Sequence, residues 1–469
     1  MKKGTILENI KVEKLVFGGQ GFARHTDGKV IFITGGVVPG SIVNLRVLKS
    51  KKDYYETQVL DVVKKSPIEK THPNNPYGMN GGCKRVNIPY EEQLKIKESQ
   101  VIESFFHTEK TAGEKITISP IVPSPLIDSY RNKVEFSYGK YISAKESREE
   151  HFNLGFHKQG EFSKIEDING FILIKEEINE IFREIKDFTK SSGLPAYDPM
   201  THKGFYRHLL IRNSFFKDEI MIILGFNHVH NDGNNNLNSI KDFFINLSKK
   251  HSKIKSIYFS KNDSPADIAI GELELIYGNE FIVEEILGLK FNISPKSFFQ
   301  TNSHGAEKLY SIVKELAGDD TNNSIILDLY AGTGTIGMIL SDNAKKVYSV
   351  ELVKQASQDG QENAEKNGIK NMEFINAKVE DYLKDYVKTG EKADLLIIDP
   401  PRSGMHPDAL PNILKFESKT IIYVSCNPAT LARDLQFIVK NSNYKIKKVI
   451  PVDMFPHTHH IETVVKLEL

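Results

Sequence analysis

Ser324-Ile-Ile-Leu-Asp-Leu-Tyr-Ala-Gly-Thr-Gly-Thr-Ile-Gly337 decides the fold of this chain of 469 residues. Its first half is an apolar run typical of a buried parallel strand, and its glycines follow at once. Similar apolar segments come after it, with helical segments between them, at 346–350, 372–376, 394–398 and 420–424. This alternation predicts a doubly wound, Rossmann-like α/β domain, with residues 445–469 as its closing hairpin.

The glycine loop after this first strand has more than one interpretation. Gly332, Gly334 and Gly337 form Gly-x-Gly-x-x-Gly, which is typical of a dinucleotide site. Glu351 ends the next strand and is suited to bind ribose hydroxyls. Asp328, at the strand end before the loop, is more typical of an S-adenosylmethionine site, which holds no pyrophosphate to repel it. The loop alone favours a methyltransferase and leaves a dinucleotide enzyme or a structural turn open.

A second strand end carries a candidate nucleophile. Cys426 follows the apolar run 421–425, at the edge where open α/β sheets place their ligands. Pro428 suits the first residue of a helix and Asn427 suits its N-cap. The thiol would then lie beside a helix N-terminus, whose partial positive charge favours the thiolate. A buried core cysteine is the alternative, and the position favours a nucleophile.

Two carboxylates are expected near this cysteine. Asp399 begins Asp-Pro-Pro-Arg402 at the end of another parallel strand, where it can accept a hydrogen bond from a ring N–H. Glu462 begins the last strand and is a candidate general base, with an ordinary solvated carboxylate as the alternative. The histidines at 457, 459 and 460 have no recognisable ligand spacing, so we expect no metal site.

These groups meet the needs of one reaction. Carbon 5 of uracil is too weak a nucleophile to attack a methyl sulfonium, but a thiolate that adds to carbon 6 makes a reactive enolate. A base must then remove the proton at carbon 5 so that elimination frees the cysteine. The reaction needs a thiolate, a methyl-donor site, a group for the uracil edge and a base. The matching residues, in that order, are Cys426, the 328–337 loop with Glu351, Asp399 and Glu462.

Composition sets the remaining expectations. The net charge of +1 excludes a uniformly basic, histone-like protein. Residues 1–65 nevertheless carry 12 Lys and Arg against 6 Asp and Glu. Short β-rich segments and glycine turns in that range predict a small closed barrel, whose basic excess suits a polyanion. Two cysteines exclude a disulfide framework. No segment is apolar enough for a signal peptide or membrane helix, so a soluble, cytoplasmic protein is expected. Nothing in the sequence demands an oligomer, so we expect a monomer.

The complete set of motifs resembles that of the RNA uridine-5-methyltransferase family, which makes 5-methyluridine in ribosomal or transfer RNA. The match runs nearly end to end and begins with a barrel similar to the TRAM domain. Its further motifs are Tyr130-Arg-Asn-Lys133, Ser297-Phe-Phe-Gln-Thr-Asn302, Asp328 to Gly334, Asp399-Pro-Pro-Arg-Ser-Gly404, Ser425-Cys-Asn-Pro428, and Asp453-Met-Phe-Pro-His-Thr458 with Glu462. The resemblance implies that Cys426 is the nucleophile and Glu462 the base that removes the proton.

The resemblance also implies a cofactor site and a domain layout. S-adenosylmethionine would be bound by Gln300, Tyr330, Glu351 and Asp399, with Asp399 near the target base and Asp328, Gly332 and Gly334 in the loop. The expected domains are a TRAM-like barrel at 1–65, a central α+β domain at 66–290 and the Rossmann-like methyltransferase domain at 291–469. RNA is the expected partner, and the barrel and chain length favour large-subunit (23S) ribosomal RNA over transfer RNA. Candidate RNA contacts, each with a structural ion pair as the alternative, are Arg131, Lys133, Arg207 and Arg212.

One departure from the family concerns a cofactor. Many members hold an iron–sulfur cluster with Cys-x5-Cys-x2-Cys and a later cysteine. Asn74 and Asn80 stand at the first two positions, only Cys83 remains, and the later segment near Asp167 has no cysteine. Four thiolates cannot be assembled from two cysteines when one is catalytic. We therefore expect no iron–sulfur cluster, with Cys83 as a small packed residue.

Two functions of other classes stay open. A methyltransferase acting on an amino group can use Asp399-Pro-Pro for its nucleophile, but it leaves Cys426 without a role. A catalytically idle RNA-binding protein has no need for an intact set of Cys426, Asp399 and Glu462.

Overall fold

The N-terminal part of the chain folds as a six-stranded sheet around its own core. The computed structural model describes residues 1–72, 75–78, 80–113, 115–142, 150–158, 161–227 and 234–469. In the order β1-β5-β6-β4-β3-β2 only β4 and β6 run parallel. Alternate side chains such as Ile31, Ile33 and Val43 point inward, as on the wall of a small barrel. The strands are β1 (Ile6–Lys11), β2 (Lys14–Leu15), β3 (Gly21–Arg24), β4 (Val30–Thr34), β5 (Ile42–Ser50) and β6 (Tyr54–Lys64).

A long helix and a mixed sheet follow. The seven-stranded sheet has the order β13-β12-β11-β10-β7-β8-β9, and a large aromatic core lies between it and its helices. The elements are α1 (Tyr90–Ala112), β7 (Lys133–Ile142), β8 (Glu150–Lys158), β9 (Glu161–Asp167), α2 (Glu176–Ser191), β10 (Tyr206–Asn213), β11 (Ile220–Phe226), α3 (Asn234–Lys250), β12 (Ile254–Lys261) and β13 (Glu272–Gly278). A separate hairpin consists of β14 (Ile282–Ile286) and β15 (Leu289–Ile293).

The C-terminal sheet is doubly wound, as predicted. Its order is β18-β17-β16-β19-β20-β22-β21, with five parallel strands and an antiparallel pair that confirms the closing hairpin. The elements are α4 (Ser303–Ala317), β16 (Ile325–Leu329), α5 (Thr335–Leu340), β17 (Lys346–Glu351), α6 (Lys354–Lys366), β18 (Met372–Asn376), α7 (Val379–Thr389), β19 (Leu395–Ile398), α8 (Leu410–Ile413), β20 (Thr420–Ser425), α9 (Pro428–Asn441), β21 (Lys445–Val452) and β22 (Glu462–Glu468). Within the described ranges, no helix has the length and apolarity needed to cross a membrane.

Two elements connect the sheets across the predicted domain boundaries. Helix α1 packs on α9, where the hydroxyl of Thr108 donates to the carbonyl of Ala432 at 3.0 Å. The β14–β15 hairpin spans residue 290 and shares its core with α4. The three sheets confirm the predicted fold class, a Rossmann-like domain with a central mixed domain and an N-terminal β domain. The boundaries at 65 and 290 stay a prediction, with the second one inside a hairpin.

The predicted glycine loop packs closely on the end of β16. Gly334 has a φ of +70° and caps α5. A Cβ atom on Gly337 would lie 2.7 Å from a carboxylate oxygen of Asp328, which accepts the Gly337 N–H at 3.0 Å. The missing side chain therefore allows α5 to begin directly against the strand.

We predict that Gly337→Ala lowers the free energy of unfolding. Replacing a helical glycine by alanine ordinarily stabilises by about 0.5–1 kcal/mol, but here the new methyl group overpacks a buried carboxylate, at a cost of about 1–3 kcal/mol. Gly82→Ala is the control, because no atom lies within 4 Å of the Cβ position at Gly82. Urea unfolding of both variants measures the difference, and a more stable Gly337→Ala protein would contradict the packing argument.

Candidate active site

The carboxyl ends of three parallel strands bring predicted residues to one edge of the sheet. Leu329 at the end of β16 pairs with Val350 of β17 on one side and with Ile398 of β19 on the other. The residues that follow these positions therefore lie side by side at the edge: Tyr330, Glu351 and Asp399.

Cys426 and Glu462 reach the same edge from opposite chain directions. Strand β20 ends at Ser425, which pairs with Thr463 near the start of antiparallel β22. Cys426, which follows β20, and Glu462, the first residue of β22, are therefore neighbours across this pair. The structure thus brings together the predicted nucleophile and the predicted base.

The predicted cap of the following helix is confirmed. Pro428 is the first residue of α9, and the side-chain oxygen of Asn427 accepts the N–H of Ala429 at 3.1 Å. The Asn427 amide also donates to the carbonyl of Arg402 at 2.9 Å. The Asp399–Arg402 segment is therefore tied to the helix that follows the thiol.

Burial dominates the electrostatics of the thiol. It raises the pKa of Cys426 to about 11, with further contributions from the carboxyls of Glu462 and Asp399. The guanidinium of Arg402 opposes this shift. The expected thiolate beside the helix N-terminus is therefore opposed by burial, and a pKa of about 11 favours the protonated thiol at neutral pH.

The two carboxyls are also protonated more readily than usual. Burial, and then the nearby Asp399, raise the pKa of Glu462 well above its ordinary value. Burial, and then Asp328, raise the pKa of Asp399 to about 7. Two neighbouring carboxyls with strongly perturbed pKa values at a strand-end cleft are typical of an acid–base site.

Arg402 is a site residue that the sequence analysis did not single out. Its guanidinium nitrogen Nη2 lies 2.9 Å from Nδ1 of His460. Burial, and then His459 and Arg402, lower the pKa of His460 to about 3. The ring of His460 is therefore neutral and accepts this hydrogen bond. The signal available in the sequence was the position of Arg402, three residues after Asp399 at a strand end.

Comparison with known proteins identifies the family. A family model described as tRNA (Uracil-5-)-methyltransferase matches residues 89–469, and a TRAM domain model matches residues 3–60. An uncharacterized RNA methyltransferase of Caldanaerobacter subterraneus is 39% identical over 475 residues, which cover 100% of both chains. One of Thermotoga maritima is 33% identical over 98% of this chain and 99% of its own. The chain belongs to the tRNA (uracil-5-)-methyltransferase family.

A solved structure agrees with this family over nearly the whole length. The tRNA (uracil-54, C5)-methyltransferase of Pyrococcus abyssi, in complex with S-adenosyl-L-homocysteine, has a TM-score of 0.73 and 27% identity. The match covers 98% of this chain and 100% of that one. The protein is thus an S-adenosylmethionine-dependent RNA (uracil-5-)-methyltransferase with an N-terminal TRAM domain.

The family's cofactor fits the glycine loop. Both oxygens of Glu351 accept backbone N–H groups, from Gly332 at 2.9 Å and Val353 at 2.7 Å, which hold the carboxylate at the loop. Asp328 uses one oxygen for Gly337 and for the hydroxyl of Ser349, while its other oxygen is buried without a partner among the described residues. An unused acceptor near the Glu351 carboxylate suits a cationic nucleoside.

The other predicted cofactor residues lie around this loop. Tyr330 has a left-handed φ of +59°, and its hydroxyl accepts the N–H of His406 at 3.3 Å. Burial, and then Asp399, raise the pKa of the buried Tyr310 in α4, and Gln300 lowers it. The sequence did not indicate Tyr310 as a site residue, because its helical position alone predicts an ordinary core residue.

The segment that holds an iron–sulfur cluster in many relatives is packed by protein groups here. The amide of Asn80 donates to the carbonyl of Gly170 at 3.2 Å. Cys83 is completely buried in the core of the central sheet, and burial raises the pKa of its thiol to about 12. Asn74 lies outside the described residues. One thiol and an amide do not fit a four-thiolate cluster.

His457 lies in a group whose possible ligand atoms are within 4.8 Å of one another, together with His72 and Asp128. Its Nε2 lies 2.9 Å from an oxygen of Asp128, and its Nδ1 faces the amide nitrogen of Gln93 at 3.0 Å. The amide oxygen of Gln93 accepts a hydrogen bond from the backbone N–H of His457, which fixes the orientation of the Gln93 amide. Nδ1 is therefore the acceptor and Nε2 carries the proton, an arrangement for a hydrogen bond rather than a metal.

Two of the four candidate RNA contacts are structural. Arg207 is buried and donates to the carbonyl of Asn262 at 2.8 Å. Arg212 is buried and donates to the carbonyl of Ser297 at 2.7 Å. Their guanidinium groups hold loops of the central sheet and do not offer a surface to RNA. Arg131 and Lys133 are only half-buried.

We predict that alkylation of Cys426 by iodoacetamide accelerates continuously from pH 7 to about pH 10, because only the thiolate reacts and the pKa is raised. Arg402→Met removes the opposing positive charge and slows the reaction by about tenfold per unit of added pKa shift. The buried Cys83 contributes no signal, as a Cys426→Ser protein will show. Arg183→Met in α2 is the control. A plateau below pH 8, or equal rates in the Arg402 and Arg183 variants, would contradict the assignment.

Proposed function

We propose that the protein methylates carbon 5 of a uridine in RNA through a covalent bond between Cys426 and carbon 6. The observation that carries the proposal is the pairing of β20 with β22, which sets a thiol beside a buried carboxyl at the cofactor edge. An amino-group methyltransferase needs no such pair. A target base inside folded RNA reaches this edge only when it is flipped out of its stack.

The first step is addition of the thiolate. The Cys426 proton leaves to solvent, sulfur bonds to carbon 6, and the ring electrons move onto carbon 5 and the carbonyl at carbon 4 as an enolate. Arg402 is the cation beside the thiol and favours its ionisation. Asp399, in its ionised form, accepts the ring N–H and orients the base. The raised pKa of the thiol keeps it from reacting before a base is bound.

The later steps use Glu462. S-adenosylmethionine supplies an electrophilic methyl group, which carbon 5 receives. Ionised Glu462 then takes the proton from carbon 5, and the electrons of that bond expel Cys426 as a thiolate. Because burial gives the Glu462 carboxylate an unusually high proton affinity, it is a stronger base than a solvated glutamate. The proposed cofactor-binding residues are Gln300, Tyr330, Glu351, Asp399, Asp328, Gly332 and Gly334.

Large-subunit (23S) ribosomal RNA is the proposed substrate. The basic excess of residues 1–65 and the TRAM domain support RNA binding by the N-terminal part of the chain. Transfer RNA is the second candidate, favoured by the full-length similarity to the Pyrococcus abyssi enzyme. We further propose that the protein acts as a monomer in the cytoplasm, where thiols stay reduced.

Glu462→Gln is predicted to trap the covalent intermediate. The amide cannot take the proton from carbon 5, so methylated RNA stays bonded to Cys426 and migrates with the protein on a denaturing gel. Cys426→Ala forms neither adduct nor product, and the double variant is the control for non-specific crosslinking. Product formation by Glu462→Gln at the wild-type rate would exclude Glu462 as the base.

The substrate prediction is tested with total RNA from cells that lack this protein. Incubation with labelled S-adenosylmethionine should place label as 5-methyluridine in large-subunit ribosomal RNA with the wild-type protein and in no RNA with Cys426→Ala. Label in transfer RNA would select the second candidate. Label in another base would contradict the uracil chemistry, and absence of label despite S-adenosylmethionine binding would leave only an RNA-binding role.

A further inference from the structure

The TRAM domain touches the segment that leads into Glu462. In the turn that joins β2 to β3, Gly19 has a φ of +90°. A Cβ atom on Gly19 would lie 3.4 Å from Cβ of His459 and 3.5 Å from Nη2 of Arg85. A methyl group fits these distances, whereas a larger side chain directed toward His459 or Arg85 would press against it. This turn, residues 16–20 and named the TRAM turn, therefore lies directly against the catalytic domain.

The neighbouring Gly18 provides a matched comparison. Its φ is +88°, it is exposed, and no atom lies within 4 Å of its Cβ position. A substitution at Gly18 or at Gly19 meets the same left-handed backbone, so the conformational strain is alike. Only the substitution at Gly19 meets His459.

Three further contacts fix this turn relative to the catalytic domain. Phe17 packs against the core around α9 and the C-terminal sheet. The amide of Gln100 in α1 donates to the carbonyl of Leu15 at 2.9 Å. Lys14 forms an ion pair with Glu103 of α1 at 2.7 Å. Because α1 packs on α9, the TRAM turn is held by a helix pair that includes α9, which begins at Pro428 just after the thiol.

The contact extends to the thiol through two rings. His459 and His460 have ring centroids 4.2 Å apart, and His460 accepts the hydrogen bond from Arg402. Burial, and then Arg85 and Arg402, lower the pKa of His459 to about 4, so its ring is neutral and packs as an uncharged group. We expect displacement of His459 to shift His460, the acceptor that orients the guanidinium of Arg402, whose backbone carbonyl is bound by Asn427 next to Cys426.

We propose that Gly19 of the TRAM domain is a positioning residue of the active site: it fixes His459 and His460, and through them the guanidinium of Arg402 beside the thiol. The TRAM domain then acts in the chemical step as well as in RNA binding. The catalytic consequence rests on the proposed function, whereas the effect on the thiol does not.

The test compares Gly19→Asn with Gly18→Asn in the full chain. Asparagine tolerates left-handed backbone and extends beyond Cβ. Gly19→Asn should slow alkylation of Cys426 at pH 8 by about tenfold and single-turnover RNA methylation by about ten- to a hundredfold, with RNA affinity unchanged. Gly18→Asn should stay within about twofold of wild type in every measurement. Gly19→Ala, whose methyl group makes ordinary contacts, should restore most of the rate.

Melting curves of all variants report whether they fold. His459→Ala is the second variant, since loss of the ring should slow alkylation without any change in the TRAM turn. Equal rates for the two asparagine variants, a loss confined to RNA affinity, or normal alkylation in His459→Ala would overturn the inference. Slow alkylation in Gly19→Asn, combined with no 5-methyluridine from the wild-type protein, would support the positioning role and refute the proposed function.

Discussion

The pairing of Ser425 with Thr463 is the constraint on which the site depends. Side chains alternate along a strand, so a slip of one residue in β22 would turn Glu462 to the opposite face of the sheet and away from the thiol. The register is specified by burial, because all six residues of β20 and five of the seven residues of β22 are buried. Packing of an apolar sheet therefore fixes the geometry of a polar reaction.

The same burial sets the chemistry. It suppresses ionisation of Cys426, Asp399 and Glu462 together, and the positive charge of Arg402 opposes this shift at both the thiol and Glu462. A thiol that stays protonated is protected from oxidation and wasteful alkylation, and a carboxylate that resists ionisation becomes a strong base once it is ionised. Both properties suit a thiolate that is needed only while a uridine is bound.

Local patterns were sufficient for the doubly wound sheet, the glycine loop and the Asn427 cap. They also predicted that Cys426 and Asp399 meet, because strand ends of one parallel sheet share an edge, and that Glu462 joins them at the start of the antiparallel last strand. The sequence did not predict features that depend on distant packing. The contact of α1 with α9 and the protonated thiol arise from groups far apart in the chain, whereas the hairpin across residue 290 is local and its strands were not predicted. Arg402 was overlooked for the same reason, since its partner His460 is 58 residues away.

Helix α1 connects these distant parts. Lys97 and Asp453 form an ion pair at 2.7 Å with both side chains fully buried, and Lys97 also donates to the carbonyl of Phe455 at 3.0 Å. Such a pair contributes little net stability, because desolvation offsets the attraction, but its strict geometry favours one arrangement of the chain. That arrangement places the 453–460 segment between α1 and the TRAM turn. The loop before Glu462 is thus held by elements outside the methyltransferase sheet, which accounts for the participation of the N-terminal domain in the active site.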